Sequence, residues 1–336
     1  MSAISVSVPV VTDHGGNLCR ARLRFPAAPE PWLDLSTGIN PWPYPFEPPA
    51  AEVWQRLPAE ASLESLVSAA ARAYGAAGPD RVATAPGSQA LIQLLPRLHP
   101  PCRVAVVGPT YAEHALCWSV AGHRVEMVDH PDHLFESDAG VGILVNPNNP
   151  DGRLWPPALL ARLAAHFAAR GGWLVVDEAF ADALPPTELP VEHSGLIALR
   201  SFGKFFGLAG LRLGFALAEP MLAASLRQAI GPWPVSGPAA VIGAAALADS
   251  AWINATRSRL VSAAEQLDRL LSGCGLTVLG GTPLFRLAHS DKAAALYQRL
   301  GEAGILVRRF EAHPAWLRFG LPDSEAARLR VEAALS

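Results

Sequence analysis

Lysine is almost missing from this chain. Of 27 basic residues only Lys204 and Lys292 are lysines, and the other 25 are arginines. A lysine retained against such a bias points to a task arginine cannot do, such as forming a Schiff base through an amine that can shed its proton. Lys292 lies in a polar, helix-like run and reads as a solvated charge, which leaves Lys204. Charge as a whole is also scarce. Only 17% of residues are charged and the net charge is −3, so there is no electrostatic basis for holding nucleic acid or an anionic membrane. The four cysteines, Cys19, Cys102, Cys117 and Cys274, are scattered at spacings that make neither a disulfide framework nor a zinc pattern. A reducing compartment and no bound metal are expected. The longest run of small apolar residues, Ala239–Ala248, is too short to span a bilayer. Met1–Thr12 lacks the basic and apolar regions of a signal peptide. The expectation is a soluble, cytoplasmic protein.

What is present is apolar and periodic. Half of the 336 residues are hydrophobic, enough for a large core and more than one domain. The first segment, residues 1–49, is rich in proline and predicts an extended arm packing against a small domain. Beyond it, apolar runs at Val82–Ala85, Val104–Val107, Val125–Val128, Ile143–Val145, Trp173–Val176, Leu196–Leu199 and Leu211–Leu217 predict strands. Helix-like stretches separate several of them, at Ser62–Tyr74, Gln89–Leu98, Glu113–Ala121 and Ala158–Ala169. Runs buried on both faces, alternating with helices, predict an α/β fold over residues 50–234: a mostly parallel central sheet with helices on both faces. Residues 235–336 predict one long linking helix from Pro238 to Leu271, then a smaller α+β domain with four short strands.

Ligands of open α/β sheets sit beyond the carboxyl ends of the strands. Pro86-Gly87-Ser88-Gln89 follows the first run and opens a helix, whose free N–H groups suit a phosphate or simply a helix cap. Tyr111 in Gly108-Pro-Thr-Tyr111 follows the second. Asn146-Pro-Asn-Asn149-Pro makes a rigid turn after the fourth, placing an amide that could face a ligand oxygen. Asp177 follows the fifth, with no histidine cluster to suggest metal. Ser201, Lys204 and Arg212 follow the sixth. A buried Arg212 in an apolar strand would need an anion. A phosphate-binding P-loop is excluded by the lack of the upstream glycine spacing, and a β-lactamase reading by the missing companion motifs.

Asn-Pro-x-Asn-Pro, Asp-Glu-Ala-Phe, Ser-x-x-Lys and Gly-Leu-Arg-x-Gly, in this order, resemble the fold-type I pyridoxal-phosphate enzymes of the class I/II aminotransferase superfamily. The resemblance runs from about His14 to the C-terminus. It implies that Lys204 carries the cofactor aldehyde, Asp177 pairs with the pyridine nitrogen, Asn149 bonds the ring hydroxyl and Tyr111 stacks on the ring. It implies further that Gly87, Ser88, Ser201 and Arg212 hold the phosphate, that Gln89 also contacts the cofactor, and that active sites are shared across a homodimer. Two positions depart from the pattern. Asp151 stands where a threonine is usual, and Leu57-Pro58 lies where related enzymes present a tyrosine from a neighbouring subunit.

Within that superfamily, His14-Gly-Gly-Asn17 and Asp34-Leu-Ser-Thr-Gly-Ile-Asn40-Pro41 resemble the threonine-phosphate decarboxylases of cobalamin biosynthesis. The histidinol-phosphate aminotransferases are the alternative. That resemblance implies a phosphorylated amino acid as substrate, with His14, Asn40, Asn149, Arg308 and Arg318 as substrate ligands. Of these, Arg318 would take the carboxylate, while Arg308 and His14 would take the phosphate. Phe180, where many aminotransferases have tyrosine, fits a decarboxylase. A ligand-sensing regulator, the non-enzymatic alternative, would need a DNA-binding segment for which the chain has neither spare length nor a basic patch.

Overall fold

Short β-branched runs that cannot be solvated on either face must pair with one another, and here they do. The computed structural model describes residues 15–186 and 194–336, so His14 lies outside the described residues. The arm contributes strand β1 (Leu33–Leu35). Next come β2 (Val82–Ala85), β3 (Arg103–Val107), β4 (Arg124–Val128), β5 (Val141–Val145), β6 (Trp173–Asp177), β7 (Leu196–Ser201) and β8 (Gly214–Leu217). These seven form one sheet in the order β2-β8-β7-β6-β5-β3-β4. All its neighbouring pairs are parallel except those made by β8, which runs antiparallel to both β2 and β7. The interior strand β5 is buried at every residue, whereas β4, at the edge, is not. That difference is what helices on both faces and an open edge require.

The second sheet is built from β9 (Thr277–Thr282), β10 (Phe285–His289), β11 (Ile305–Phe310) and β12 (His313–Gly320). Strand β1 completes it, in the order β1-β11-β12-β10-β9. The arm is therefore not simply extended. Asn17 caps a helix, Leu18–Arg24, by accepting from Arg20 N–H, and β1 then pairs in parallel with β11. Ala21, Phe25 and Leu35 are buried, so this segment belongs to the core beneath the small sheet.

Two further expectations change. The single helix expected from Pro238 to Leu271 is two, Gly237–Ala248 and Ser250–Gly273, meeting at 77°. Asp249 causes the break, its carboxylate accepting from Trp252 N–H at 2.9 Å as the cap of the second helix. The first of the pair is lined by alanine and glycine, which lets it lie close against the helix Glu60–Ala73. No single helix among the described residues is long and apolar enough to cross a membrane. The strand expected over Leu211–Leu217 begins only at Gly214. Ala209–Leu211 is a 3-10 turn, and Arg212 follows it in the left-handed region, at φ 54°. Arg212 is exposed on that turn rather than buried in a strand.

Candidate active site

Because β8 runs against its neighbours, its first residue lies at their carboxyl ends. Gly214 pairs with Ala85 on one side and Ser201 on the other. This register brings together three segments far apart in sequence. Gly87 has φ 85°, and a Cβ there would stand 2.6 Å from the Arg212 Nη2 atom. A Cβ on Gly214 would stand 2.3 Å from Ser88 N. The start of the helix Ser88–Leu98, the Ser201 hydroxyl and the Arg212 guanidinium therefore converge, with only glycine fitting between them. Free N–H groups at the helix start, a hydroxyl and a guanidinium form a cradle for a small dianion.

The cradle opens into a cavity of about 760 Å³ between the two sheets. Ser88, Gln89, Tyr111, Asn149, Asp177, Ser201, Lys204, Arg212, Arg308 and Arg318, ten of the sequence-predicted site residues, line it. Gly87 forms the wall behind Arg212. Lys204 stands on a single helical turn, Phe202–Phe205, directly after β7. Burial, with Arg318 and Arg212 nearby, pushes its amine down to about 8, and Asp177 only partly offsets this. The Nζ atom lies 5.7 Å from the Phe180 ring centroid.

Asp177 is 3% exposed, and both of its oxygens are engaged. Oδ1 accepts from Ala179 N–H at 2.9 Å, and Oδ2 lies 2.9 Å from His114 Nε2. An ionised Asp177 can only accept, so in that state Nε2 carries the proton. The sequence reading missed His114. The signal was present, since His114 stands one helical turn after Tyr111, on the helix Ala112–Val120 that follows β3. The Tyr111 hydroxyl donates to Gln89 Oε1 at 3.0 Å, and burial pushes it well above the ordinary phenol range.

The turn after β5 is held by its own amides. Asn146 Oδ1 accepts from Trp155 N–H, while Asn148 Nδ2 donates to Pro109 O and to Asp151 Oδ1. Asp151, the departure from the usual threonine, also pairs with Arg153 at 2.7 Å, so here it braces the turn. Asn149 is left facing the cavity, where its Oδ1 accepts from Arg318 Nη1.

Arg318 is 7% exposed, and Nη2 donates to Ser36 O at 2.9 Å. Among the described residues its Nε is buried without a hydrogen-bond partner. Burial, with Arg308 beside it, pushes the guanidinium down to about 9, and Asp34 only partly offsets this. Arg308 and Arg318 are directly opposite in the β11–β12 register. Like charges opposed across strands cost stability unless an anion joins them.

Asn40 was expected to touch substrate, but it is not among the residues lining the cavity. Its Nδ2 donates to Phe205 O at 2.8 Å, its Oδ1 accepts from Trp42 N–H, and its backbone N–H donates to Lys204 O. Asn40 is a brace for the lysine turn, with its amide spent on main chain. The two arm motifs pack together. Gly16 N–H donates to Ser36 Oγ at 2.7 Å, and a Cβ on Gly15 would overlap Ser36 O.

Residues 53–333 match the family described as aminotransferase class I and II. The chain is 45% identical over 326 residues to the threonine-phosphate decarboxylase of Pseudomonas aeruginosa, covering 96% of this chain and 97% of that protein. It is also 45% identical over 335 residues to the threonine-phosphate decarboxylase of a Sinorhizobium species, covering 98% and 99%. Its fold is similar to that of the histidinol-phosphate aminotransferase from Clostridium acetobutylicum, with a TM-score of 0.79 at 20% identity over 90% of this chain and 98% of that one. The chain belongs to the class I and II aminotransferase family.

Proposed function

We propose that this member of the class I and II aminotransferase family is a pyridoxal-phosphate-dependent decarboxylase. It converts L-threonine O-3-phosphate into (R)-1-amino-2-propanol phosphate for cobalamin biosynthesis. The observation that carries the reading is the opposed pair Arg308 and Arg318, lining the same cavity as Lys204. Two cations held together, one of them buried with an unpartnered Nε, suit a small substrate with two anionic groups. Near-full-length similarity to two threonine-phosphate decarboxylases supports the same substrate.

The residues present fit pyridoxal phosphate. The cradle of Gly87, Ser88, Gln89, Ser201 and Arg212 is closed to any side chain at Gly87 or Gly214, yet opens on the cavity that Lys204 and Asp177 line. When bound there, pyridoxal phosphate supplies an aldehyde for the substrate amine and a ring that takes up the electrons left at Cα when carbon dioxide departs.

The chain supplies the rest. Asp177, oriented by His114 and Ala179, holds a proton on the pyridine nitrogen. With an amine near 8, roughly a tenth of Lys204 is neutral at pH 7. Lys204 would thus hold the cofactor through its amine, and the same amine can move a proton at the substrate Cα. Arg318 holds the Asn149 oxygen, so the Asn149 Nδ2 is the donor that would bond the ring oxygen of the cofactor. Phe180, packed edge-on against Phe285 at 4.9 Å, offers no second donor there. Tyr111, its hydroxyl tied to Gln89, serves as a wall against the ring. Arg318 takes the substrate carboxylate with its planar fork. Arg308 takes the phosphate together with His14, whose neighbour Gly15 lines the cavity.

We place the enzyme in the cytoplasm as a homodimer with shared active sites. Its four cysteines are free, and Phe46, Trp54 and Leu57 are exposed on one stretch of chain, as an interface would leave them in an isolated subunit. The deciding assay supplies threonine phosphate without any keto acid. Release of carbon dioxide and aminopropanol phosphate is expected. Turnover that required 2-oxoglutarate and produced glutamate would overturn the proposal in favour of amino-group transfer.

A further inference from the structure

At the opposite ends of the same strands, away from the cavity, His99, Cys102 and His123 bring one ligand atom each within 4.8 Å of one another. Their positions follow from the fold. His99 ends the helix Ser88–Leu98, Cys102 immediately precedes β3 and His123 immediately precedes β4. Since β3 and β4 pair in parallel from Arg103 and Arg124 onward, Cys102 and His123 sit side by side one step earlier. The spacing matches no zinc template, because one ligand comes from a helix end and two from adjacent strands.

We propose that these three side chains form a binding site for a borderline-soft divalent cation of the Zn²⁺ type, remote from the catalytic cavity. Tetrahedral zinc, with bonds of about 2.3 Å to sulfur and about 2.0 Å to nitrogen, sets its sulfur and nitrogen ligands about 3.6 Å apart. Cys102 Sγ and His123 Nδ1 are 3.5 Å apart. The remaining separations, up to 4.8 Å, close with about 1 Å of movement, and His99 and Cys102 are only half-buried.

One ring nitrogen of each histidine is already committed. His123 Nε2 lies 2.8 Å from Pro96 O and His99 Nδ1 lies 2.8 Å from Pro100 O. Metal-bound histidines characteristically donate their other N–H to a carbonyl, which fixes the tautomer and aims the lone pair at the ion. In this tautomer His123 Nδ1 is an acceptor, met by a long 3.3 Å contact from Cys102 N–H and by the Cys102 thiol at 3.5 Å. Trp118 and Trp173 wall the cluster edge-on against the imidazoles. Gly140 forms its floor, where a Cβ would stand 3.3 Å from Cys102 Sγ. Cation binding exchanges the thiol proton, which leaves to solvent, for a metal–sulfur bond. The half-exposed side leaves a fourth position for water. Such a clip would tie a helix end to two strand starts without touching the reaction.

The test uses cofactor-loaded enzyme, stripped of metal and kept in phosphate-free buffer. Zn²⁺ is titrated against a chromophoric chelator and Co²⁺ is followed by its thiolate charge-transfer band. Tight uptake of one equivalent is expected, with at least 100-fold weaker uptake and no cobalt band in Cys102→Ser. Zn²⁺ should slow alkylation of Cys102 at least tenfold, located by peptide mass, while leaving the exposed Cys19 unprotected. His99→Gln, a change at a half-exposed position that does not depend on the Cys102 variant folding, should weaken uptake at least tenfold. Turnover of threonine phosphate should be unchanged in both variants. Unchanged Zn²⁺ affinity in either folded variant, or Cys102 alkylation insensitive to saturating Zn²⁺, would overturn the site.

Discussion

Replacing His114 by phenylalanine removes one atom's function while keeping a ring of similar size beside Tyr111. In the native site His114 is 1% exposed and its Nε2 is the side-chain partner of Asp177 Oδ2, at 2.9 Å. Without it, the Asp177 carboxylate keeps the Ala179 N–H, and its other oxygen loses its side-chain donor in a residue only 3% exposed. A hydrogen bond to a charged group contributes about 1.5–3 kcal/mol. If that energy serves to hold the carboxylate at the ring nitrogen, its loss should reduce kcat roughly 10- to 150-fold. Glutamine at 114 can present an amide N–H close to where Nε2 stands, so His114→Gln should recover most of the loss. The assay is carbon dioxide release from threonine phosphate by cofactor-saturated enzyme, with thermal melting to verify that each variant is folded. If the folded phenylalanine and glutamine variants had equal kcat, or if phenylalanine stayed within twofold of wild type, His114 would not be acting through its hydrogen bond.

Three further outcomes are expected. The Lys204 amine sits at about 8 in the folded protein against an ordinary 10.5, so below pH 8 the cofactor-free enzyme carries a penalty of about 3 kcal/mol, lost as pH rises from 8 to 10.5. Cofactor-free Lys204→Met should therefore melt above wild type at pH 7, the gap closing by pH 10.5, and should never acquire the cofactor's visible absorbance. Gly214→Ala places a Cβ 2.3 Å from Ser88 N and should weaken pyridoxal phosphate binding at least tenfold, read by equilibrium dialysis, whereas Gly210→Ala, with open space around it, should not. Asn40→Ala removes a brace of the lysine turn rather than a substrate contact. It should lower Tm by the equivalent of about 1–3 kcal/mol and reduce kcat while leaving KM for threonine phosphate within about twofold. A selective rise in KM would restore the substrate-contact reading.

What could be read from sequence was whatever depends on local pattern. The strands of the large sheet stood out because residues such as those of β5 are apolar on both faces, and only a parallel, doubly covered sheet uses such runs. Asp177 stood out because it directly follows one of those runs, and Lys204 because lysine is so scarce in this chain. Arg212 was misplaced because Leu-Arg-Leu reads as strand, whereas its conformation is set by the turn that lays the guanidinium over Gly87. Asn40 looked like a ligand because an asparagine amide is equally suited to main chain. Only the structure showed that Phe205 O and Trp42 N–H take it. The break at Asp249 was hidden by helix formers on both sides. The cluster of His99, Cys102 and His123 could not be read from spacing, since strand register, not sequence separation, makes Cys102 and His123 neighbours.

The arm joins what the two sheets keep apart. At Leu35 it is a strand beside β11, the strand that carries Arg308, and by Asn40 it is bonded to the lysine turn of the other sheet. Between them Ser36 O fixes Arg318, and Gly38 passes so close to Phe180 and Phe285 that a methyl group there would touch both rings. This stretch works as a ruler of fixed length between the arginines proposed to receive the substrate's charges and the Lys204 amine proposed to hold the cofactor. Its consequence is architectural: adding or deleting one residue between Leu35 and Asn40 would leave every catalytic side chain intact and still disable the enzyme, because the two halves of the site would no longer be measured to the same substrate.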